Sequence, residues 1–437
     1  MTPAERRAAV DAYWGEGPST EGKLGIFDKY WEYADRKFAA FQGINVDWKA
    51  VRARYRPEIA AGVSYGRFVA IMNQLSLTLR DSHTVALNVP INLLTVPQPG
   101  VPLLGVGGWI GDTSGACFTA QDDGSALAYS VVPNHPLGLE PGDRILGYEG
   151  RPWRDLYPEL VQELPLFPLW WGTSPSSFNH TFVMSAGLNW HLFATMDVQK
   201  YATGQIVHLP TSLMPGVIWS DFCSEQMNIP GVPKPGFSSS NDLVSGGIVD
   251  GTRIEYIYVW GWFGSAVDDF AAAIQYLTEV EHVAGLILDF RFNEGGFFKA
   301  PFRGLGAIAS HPIPTNGEDG RAKADDHFQM KSVVTPSELK VDFDNWAGSH
   351  QRVKTSFAGP VSLLVGPGAL SAGDFGALWS TVLPRVRTFG KSTAMALGLP
   401  TQPALGTELN LGPSWFAAVA ETNTWAVGAP KDFLIHS

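Results

Sequence analysis

A multidomain α/β protein is the fold class this sequence predicts, and three observations carry it. Residues 3–82 repeat apolar side chains at three- and four-residue spacing. The stretch after His83 is broken by Pro and Gly into short β-rich runs, and from about residue 251 strands alternate with helices. With 437 residues the chain exceeds one ordinary core, so two or three domains are expected. Hydrophobic residues make up 45% and charged ones only 17%, a composition that packs cores and does not stay disordered.

The elements follow in order. "DKYWEYADRKFAAF" and "SYGRFVAIMNQLSLTLRD" have the period of amphipathic helices and define an N-terminal helical region, 1–88. "VALNVPINLLTVPQPGVPLLGV" opens a β-rich segment, taken as 89–168. The span 171–250 is poorly patterned, and "NIPGVPKPGFSSSNDLVSGG" reads as a loop. In the last region, 169–437, "RIEYIYVW" predicts a strand, "AVDDFAAAIQYLTEV" a helix and "VAGLILDF" a strand. "PVSLLVG" (strand) and "AGDFGALWSTVL" (helix) complete a mostly parallel sheet covered on its faces. No internal repeat is present.

The net charge of -11 argues against a nucleic-acid partner, which needs clustered Lys and Arg. Cys117 and Cys223 define neither a disulfide framework nor a zinc site, and their pairing stays open. No apolar run reaches membrane-spanning length. The start, "MTPAERRAAVDAYW", is charged and lacks the apolar core of a signal peptide.

Parallel sheets carry their ligand sites at the C-terminal ends of strands. One strand here runs into Gly295-Gly296, and another leads through "GPGAL" to Ser371 at the mouth of a helix. A Gly pair frees backbone N–H groups to face a ligand, and the N–H of Ala372 at the helix start adds a second donor. A serine hydroxyl needs a base before it attacks. Of ten histidines, His180, His191 and His282 sit in apolar or loop contexts that suit structural roles. His83 closes a helical segment beside Asp81, Ser82 and Thr84, polar neighbours able to orient an imidazole.

"DSHT", "LEPGDRILGYEGRPW", "LDFRFNEGG" and "LSAGDF", in that order, resemble the serine peptidases of family S41, the tail-specific or C-terminal processing proteases. The order is most similar to the tricorn-like branch, whose catalytic histidine precedes its PDZ domain. The resemblance implies a ClpP/crotonase-like catalytic region and a PDZ-like domain at 89–168. It makes Ser371 the nucleophile and His83 the general base of a Ser-His-Ser-Glu tetrad. Ser82 stands where that pattern has a serine, and Glu421 is the candidate acid. Gly295 or Gly296, with Ala372, supplies the oxyanion donors, and Asp374 follows the nucleophile as an acid that stabilises the helix start. The processing-protease branch uses a lysine base instead. Here that position, residue 396, is alanine, which leaves Lys391 as the fallback base. The closing segment "ETNTWAVGAPKDF" keeps Gly428 and Asp432 of the family pattern. A peptide or protein substrate is implied, possessing an exposed C-terminus in tail-specific relatives, with no cofactor and no metal. The compartment stays open; the resemblance leans to a periplasmic or secreted location if a leader was removed.

Two rival readings accompany this one. "ALSAG" approximates the nucleophile elbow of an α/β-hydrolase-type esterase, but the only histidine after Ser371 is His436, near the frayed end. A non-catalytic protein of S41-like fold, binding an apolar ligand or peptide, is the other. Because His83 and Ser371 lie on different regions, a gate that holds them apart at rest is one expectation. A rigid, preassembled site is its alternative.

Overall fold

The computed structural model describes residues 2–93, 97–106, 112–121, 123, 125–167, 174–218, 229–233, 243–298, 300–309, 313–314, 316–334, 338–339, 357–394, 398–399 and 409–426. Four helices open the chain: α1 (Pro3–Trp14), α2 (Thr20–Lys37), α3 (Trp48–Ala60) and α4 (Tyr65–Leu79). Each begins on a side-chain oxygen, from Thr2, Ser19, Asp47 and Ser64, that accepts an otherwise orphaned backbone N–H. Arg80, in the left-handed region at φ 51°, ends α4 and turns the chain into the segment that holds His83. Strand β1 (Val85–Asn88) then pairs antiparallel with residues Trp415–Ala418, more than three hundred positions away. The helical core accordingly includes Leu409, Leu411, Ala417 and Val419 beside Phe27, Phe68 and Ile71.

A second unit contains β2 (Ala116–Ala120), β3 (Ala126–Val131), β4 (Arg144–Tyr148), α5 (Trp153–Glu163), α6 (Pro175–Leu188), β5 (Thr195–Gln199) and β6 (Ile206–Pro210). Its strands lie in the order β6-β5-β4-β3-β2, and Arg151–Pro152 adds a short sixth strand beside β4. The boundary drawn at residue 168 therefore falls inside this sheet, which continues to Pro210. Helix α6 fits closely on it: a Cβ at Gly187 would lie 2.6 Å from the Phe118 ring. Cys117 is buried and disulfide-bonded; Cys223 lies outside the described residues.

The third unit runs through β7 (Val244–Ile248), β8 (Ile254–Val259), α7 (Ala266–Glu279), β9 (Gly285–Asp289), α8 (Ala300–Leu305), β10 (Asn316–Lys323) and β11 (Asp326–Val334). It continues with β12 (Val361–Val365), α9 (Ala372–Ser380), β13 (Val386–Gly390), β14 (Trp415–Ala418) and β15 (Thr422–Ala426). Its main sheet has the order β7-β8-β9-β12-β13, parallel except for the edge strand β7. Helix α7 buries Phe270, Ile274 and Leu277 at four- and three-residue spacing against Leu286 and Leu288 of the sheet. The hairpin β10–β11 reaches the helical region. Arg321 donates to the carbonyls of Asp35 and Phe38, at 3.2 and 3.3 Å. His327 lies flat on Phe41, with ring centroids 4.0 Å apart, and its Nε2 is 2.9 Å from Asp35 Oδ1.

The poorly patterned span 171–250 thus holds α6, β5, β6 and β7, elements the sequence reading missed.

Candidate active site

Ser371 stands where β12 has ended and α9 begins. Its backbone is held at φ 56° and ψ -118°, outside the comfortable range of a side-chain-bearing residue, at a cost of about 1–3 kcal/mol. The buried Asp374 carboxylate accepts the Ser371 N–H at 2.8 Å and fixes that turn. Asp374 thus caps the start of α9, the position the family resemblance implies.

His83 reaches Ser371 across 288 positions of sequence, and His83 Nε2 lies 2.9 Å from Ser371 Oγ. Base and nucleophile are thus within hydrogen-bond distance in this structure. The tether is local and specific. Thr84 donates to Asp81 Oδ2 at 2.6 Å, and its own hydroxyl oxygen accepts from Ala420 N–H at 2.9 Å. With the β1–β14 ladder one residue beyond, the turn carrying His83 is pinned to the catalytic unit. Asp81 consequently serves Thr84 and does not orient the imidazole.

With Ser371 as donor to Nε2, the imidazole carries its proton on Nδ1. That atom is buried and has no hydrogen-bond partner among the described residues, and neither has the adjacent Ser82 Oγ. Glu421 takes the Tyr33 hydroxyl at 2.6 Å and the Lys37 ammonium at 3.3 Å, both from α2. No bond joins Glu421 to Ser82 or His83, so the structure brings together two of the four residues suggested for the tetrad.

The oxyanion candidates separate clearly. Gly295 N–H donates to Asn293 Oδ1 at 3.2 Å and is occupied. Gly296 N–H and Ala372 N–H are given to no protein group among the described residues. The contribution of Gly295 is steric instead. Its φ is +101°, and a Cβ there would sit 2.8 Å from Ser371 Cβ and 2.9 Å from Leu370 O. Gly296, at φ +131°, lies against the Trp262 backbone, and Trp262 N–H donates to Gly295 O at 2.6 Å.

Asn293 is the residue that sequence reasoning passed over. It is wholly buried and joins three pieces of the site. Its amide donates to Val259 O at the end of β8, its Oδ1 accepts from Gly295, and its backbone carbonyl accepts from Leu370 beside the nucleophile. The signal was present in the spacing, an Asn two positions before a Gly pair at a strand end.

Lys391 is not the partner of the Ser371 hydroxyl, a place His83 holds. Burial, and secondarily the charge of Lys391, push His180 down to about 4, so it is a neutral imidazole. His191 is pushed to about 4 by burial, although its two ring nitrogens meet the carbonyls of Leu188 and Leu103. Both suit structural roles. Ala396, Gly428, Asp432 and His436 lie outside the described residues. Among the described residues no cluster of three His, Cys, Asp or Glu side chains converges as a metal site, and no helix is long and apolar enough to cross a membrane.

A serine on a strained turn, an imidazole in contact with it and two unspent N–H groups are the parts that acyl transfer requires. The sequence profile of peptidase family S41 matches residues 253–424, the stretch that contains the Gly pair and the serine. Residues 253–424 are a peptidase family S41 region. The tricorn protease C1 domain matches residues 20–76, in the helical region that precedes His83. No curated protein sequence matches the chain. Among solved structures, mature CPAF complexed with lactacystin has a TM-score of 0.60 at 11% identity, covering 94% of this chain and 91% of that one. Mature CPAF alone gives 0.58 at 12% identity, with 93% and 88% covered. These likenesses show a shared fold. The chain is a serine-type peptidase acting on protein or peptide, and the esterase and pure-binding readings are not favoured.

Proposed function

We propose that this S41 peptidase cleaves peptide bonds through an acyl-enzyme formed on Ser371. The observation that carries the proposal is the 2.9 Å contact between Ser371 Oγ and His83 Nε2. Ser371 Oγ attacks the scissile carbonyl while His83 Nε2 takes its proton. The oxygen of the tetrahedral intermediate, now negative, accepts from Gly296 N–H and Ala372 N–H. As the C–N bond breaks, His83 returns the proton to the leaving amine. Water, deprotonated by the same nitrogen, then releases the acyl group. An oxyanion donor of this kind contributes about 10²–10³-fold in rate.

The relay behind the base belongs to this proposal. His83 Nδ1 and Ser82 Oγ, on consecutive residues, are both buried and unpaired among the described residues, and each carries a cost of about 1–3 kcal/mol that a bond between them would relieve. Ser82 Oγ would accept a hydrogen bond from Nδ1–H and donate its own hydroxyl to Glu421, after the carboxylate changes partner from Tyr33.

The expected kinetic pattern is specific. Ser371→Ala lowers kcat by about 10⁴-fold or more in a folded protein, and His83→Ala comes close to it. Lys391→Ala changes kcat by less than about threefold, whereas a deep loss there with a mild His83→Ala would restore a Ser/Lys dyad. A fluorophosphonate probe labels Ser371 in the wild type and nothing in Ser371→Ala.

We also propose that the β2–β6 unit is the PDZ-like domain and reads the exposed C-terminus of the substrate. Its Pro141-Gly142-Asp143 turn supports this, with Gly142 at φ +98° and the buried Asp143 accepting from Glu140 and Tyr201 N–H groups. A sheet edge in such a domain binds a peptide by strand addition. Amidated peptides should then be cleaved more slowly than the same peptides with free C-termini; equal rates would remove tail recognition and leave the catalytic assignment untouched.

A further inference from the structure

Two large aromatic side chains lie open at the mouth of the site, and nothing in the mechanism uses them. Phe263 is 42% exposed and Phe297 is 53% exposed, while Trp262 between them in the fold is wholly buried. Their rings meet edge to face with centroids 6.3 Å apart. A solitary exposed aromatic is ordinary, but a contacting pair is an apolar surface with a shape.

Position gives the pair its meaning. Phe297 directly follows Gly296, and its N–H donates to Trp262 O at 3.0 Å. Phe263 directly follows Trp262, whose N–H donates to Gly295 O. The Phe263 ring folds back over Gly261, where a Cβ would meet it at 3.0 Å and would stand 3.3 Å from Gly295 O. Gly295 in turn abuts Ser371 Cβ. Backbone hydrogen bonds thus join the residues that carry the two rings to the Gly pair, and Gly295 packs too closely on Ser371 to admit a side chain.

We propose that Phe263 and Phe297 form the subsite for an apolar side chain on the substrate residue that supplies the scissile carbonyl. This rests on the catalytic reading above. The carbonyl oxygen has to meet Gly296 N–H, so the Cα of that residue is held within a few bonds of Phe297. The leaving nitrogen has to face His83, which gives it a proton. The acyl-side residue is the one aimed along the Gly296–Phe297 turn, and an aliphatic or aromatic side chain there removes two exposed rings from water.

The test uses the full chain and peptides that differ only at the acyl-side residue, Leu or Phe against Ala, with cleavage sites mapped by mass spectrometry. The wild type prefers Leu and Phe. In Phe297→Ala and in Phe263→Ala the ratio of kcat/KM for the Leu peptide to that for the Ala peptide falls about tenfold or more, the discrimination a hydrophobic pocket supplies. Phe297→Leu restores most of the ratio. An unmoved ratio, or a preference that resides only on the leaving side, overturns the subsite. Fluorophosphonate labelling keeps the two readings apart. A labelled Ser371 with an unmoved ratio sinks the subsite alone, whereas an unlabelled Ser371 in folded wild type sinks the catalytic reading on which it rests.

Discussion

Gly295 shows how little room the site leaves. Ser371 is strained at φ 56°, and the only neighbour compatible with that turn is one lacking a side chain, since a Cβ would stand 2.8 Å from Ser371 Cβ. The clash is with a β-carbon and a backbone carbonyl, neither of which can rotate away. Gly295→Ala should therefore displace the nucleophile and lower kcat by about 10²-fold or more, the scale expected for a misplacement near 1 Å. Thermal unfolding checks that the variant is folded, and wild-type kcat would show that the turn tolerates the methyl group. Ser371 and His83 were legible because their chemistry requires particular residue types in polar company at element ends. Asn293 was not, because its role is to be hydrogen-bonded in three directions at once, and a sequence shows partners only once the chain is folded. The orientation of Asp81 toward Thr84 was hidden for the same reason.

At the level of elements, legibility followed exposure. Helix α7 has a buried face and an open one, so its three- and four-residue period is written in the sequence. Helix α6 buries Thr181, Phe182, Val183, Met184, Ser185 and Ala186 in succession, and a helical segment enclosed on all sides, as this second half is, shows no stripe. Strand β7 contains Gly246-Gly247 and reads as a turn, yet the glycines have a packing reason. A Cβ at Gly246 would lie 2.8 Å from the Glu255 carboxylate of β8. Glu255 is almost wholly buried, and its Oε2 has no hydrogen-bond partner. Burial first, and the nearby Glu281 second, push its carboxyl up to about 7. Between the unfolded value near 4.5 and about 7 the folded state holds the extra proton, so this group makes stability fall as pH rises through that window and level off above it. Glu255→Gln removes the titration. The variant should gain roughly 2–4 kcal/mol relative to wild type at pH 8 and much less at pH 4.5. Urea unfolding at the two pH values measures this, and an equal change at both would show that packing, not protonation, is responsible.

Across the whole molecule, the histidine and the serine belong to regions joined by the far end of the chain. The β1–β14 ladder, the Thr84 contact with Ala420 and the apolar side chains Leu409, Leu411 and Val419 all tie the helical region to residues after 408. A chain ending at residue 408 retains Ser371, Gly295, Gly296 and His83 but loses that tether. It should show at least about 10²-fold lower peptidase activity, because the base is no longer held at the nucleophile. Addition of a synthetic peptide spanning 409–426 should recover part of it; full activity of the truncated chain alone would show that the helical region docks unaided. The same ladder has a consequence for biosynthesis. A ribosome finishes the nucleophile some forty residues before it finishes strand β14, so the emerging polypeptide carries every reacting group while still incapable of cutting its neighbours. Competence is expected only once β14 has paired with β1, so the order of translation would delay activity until the strand that places the base has emerged.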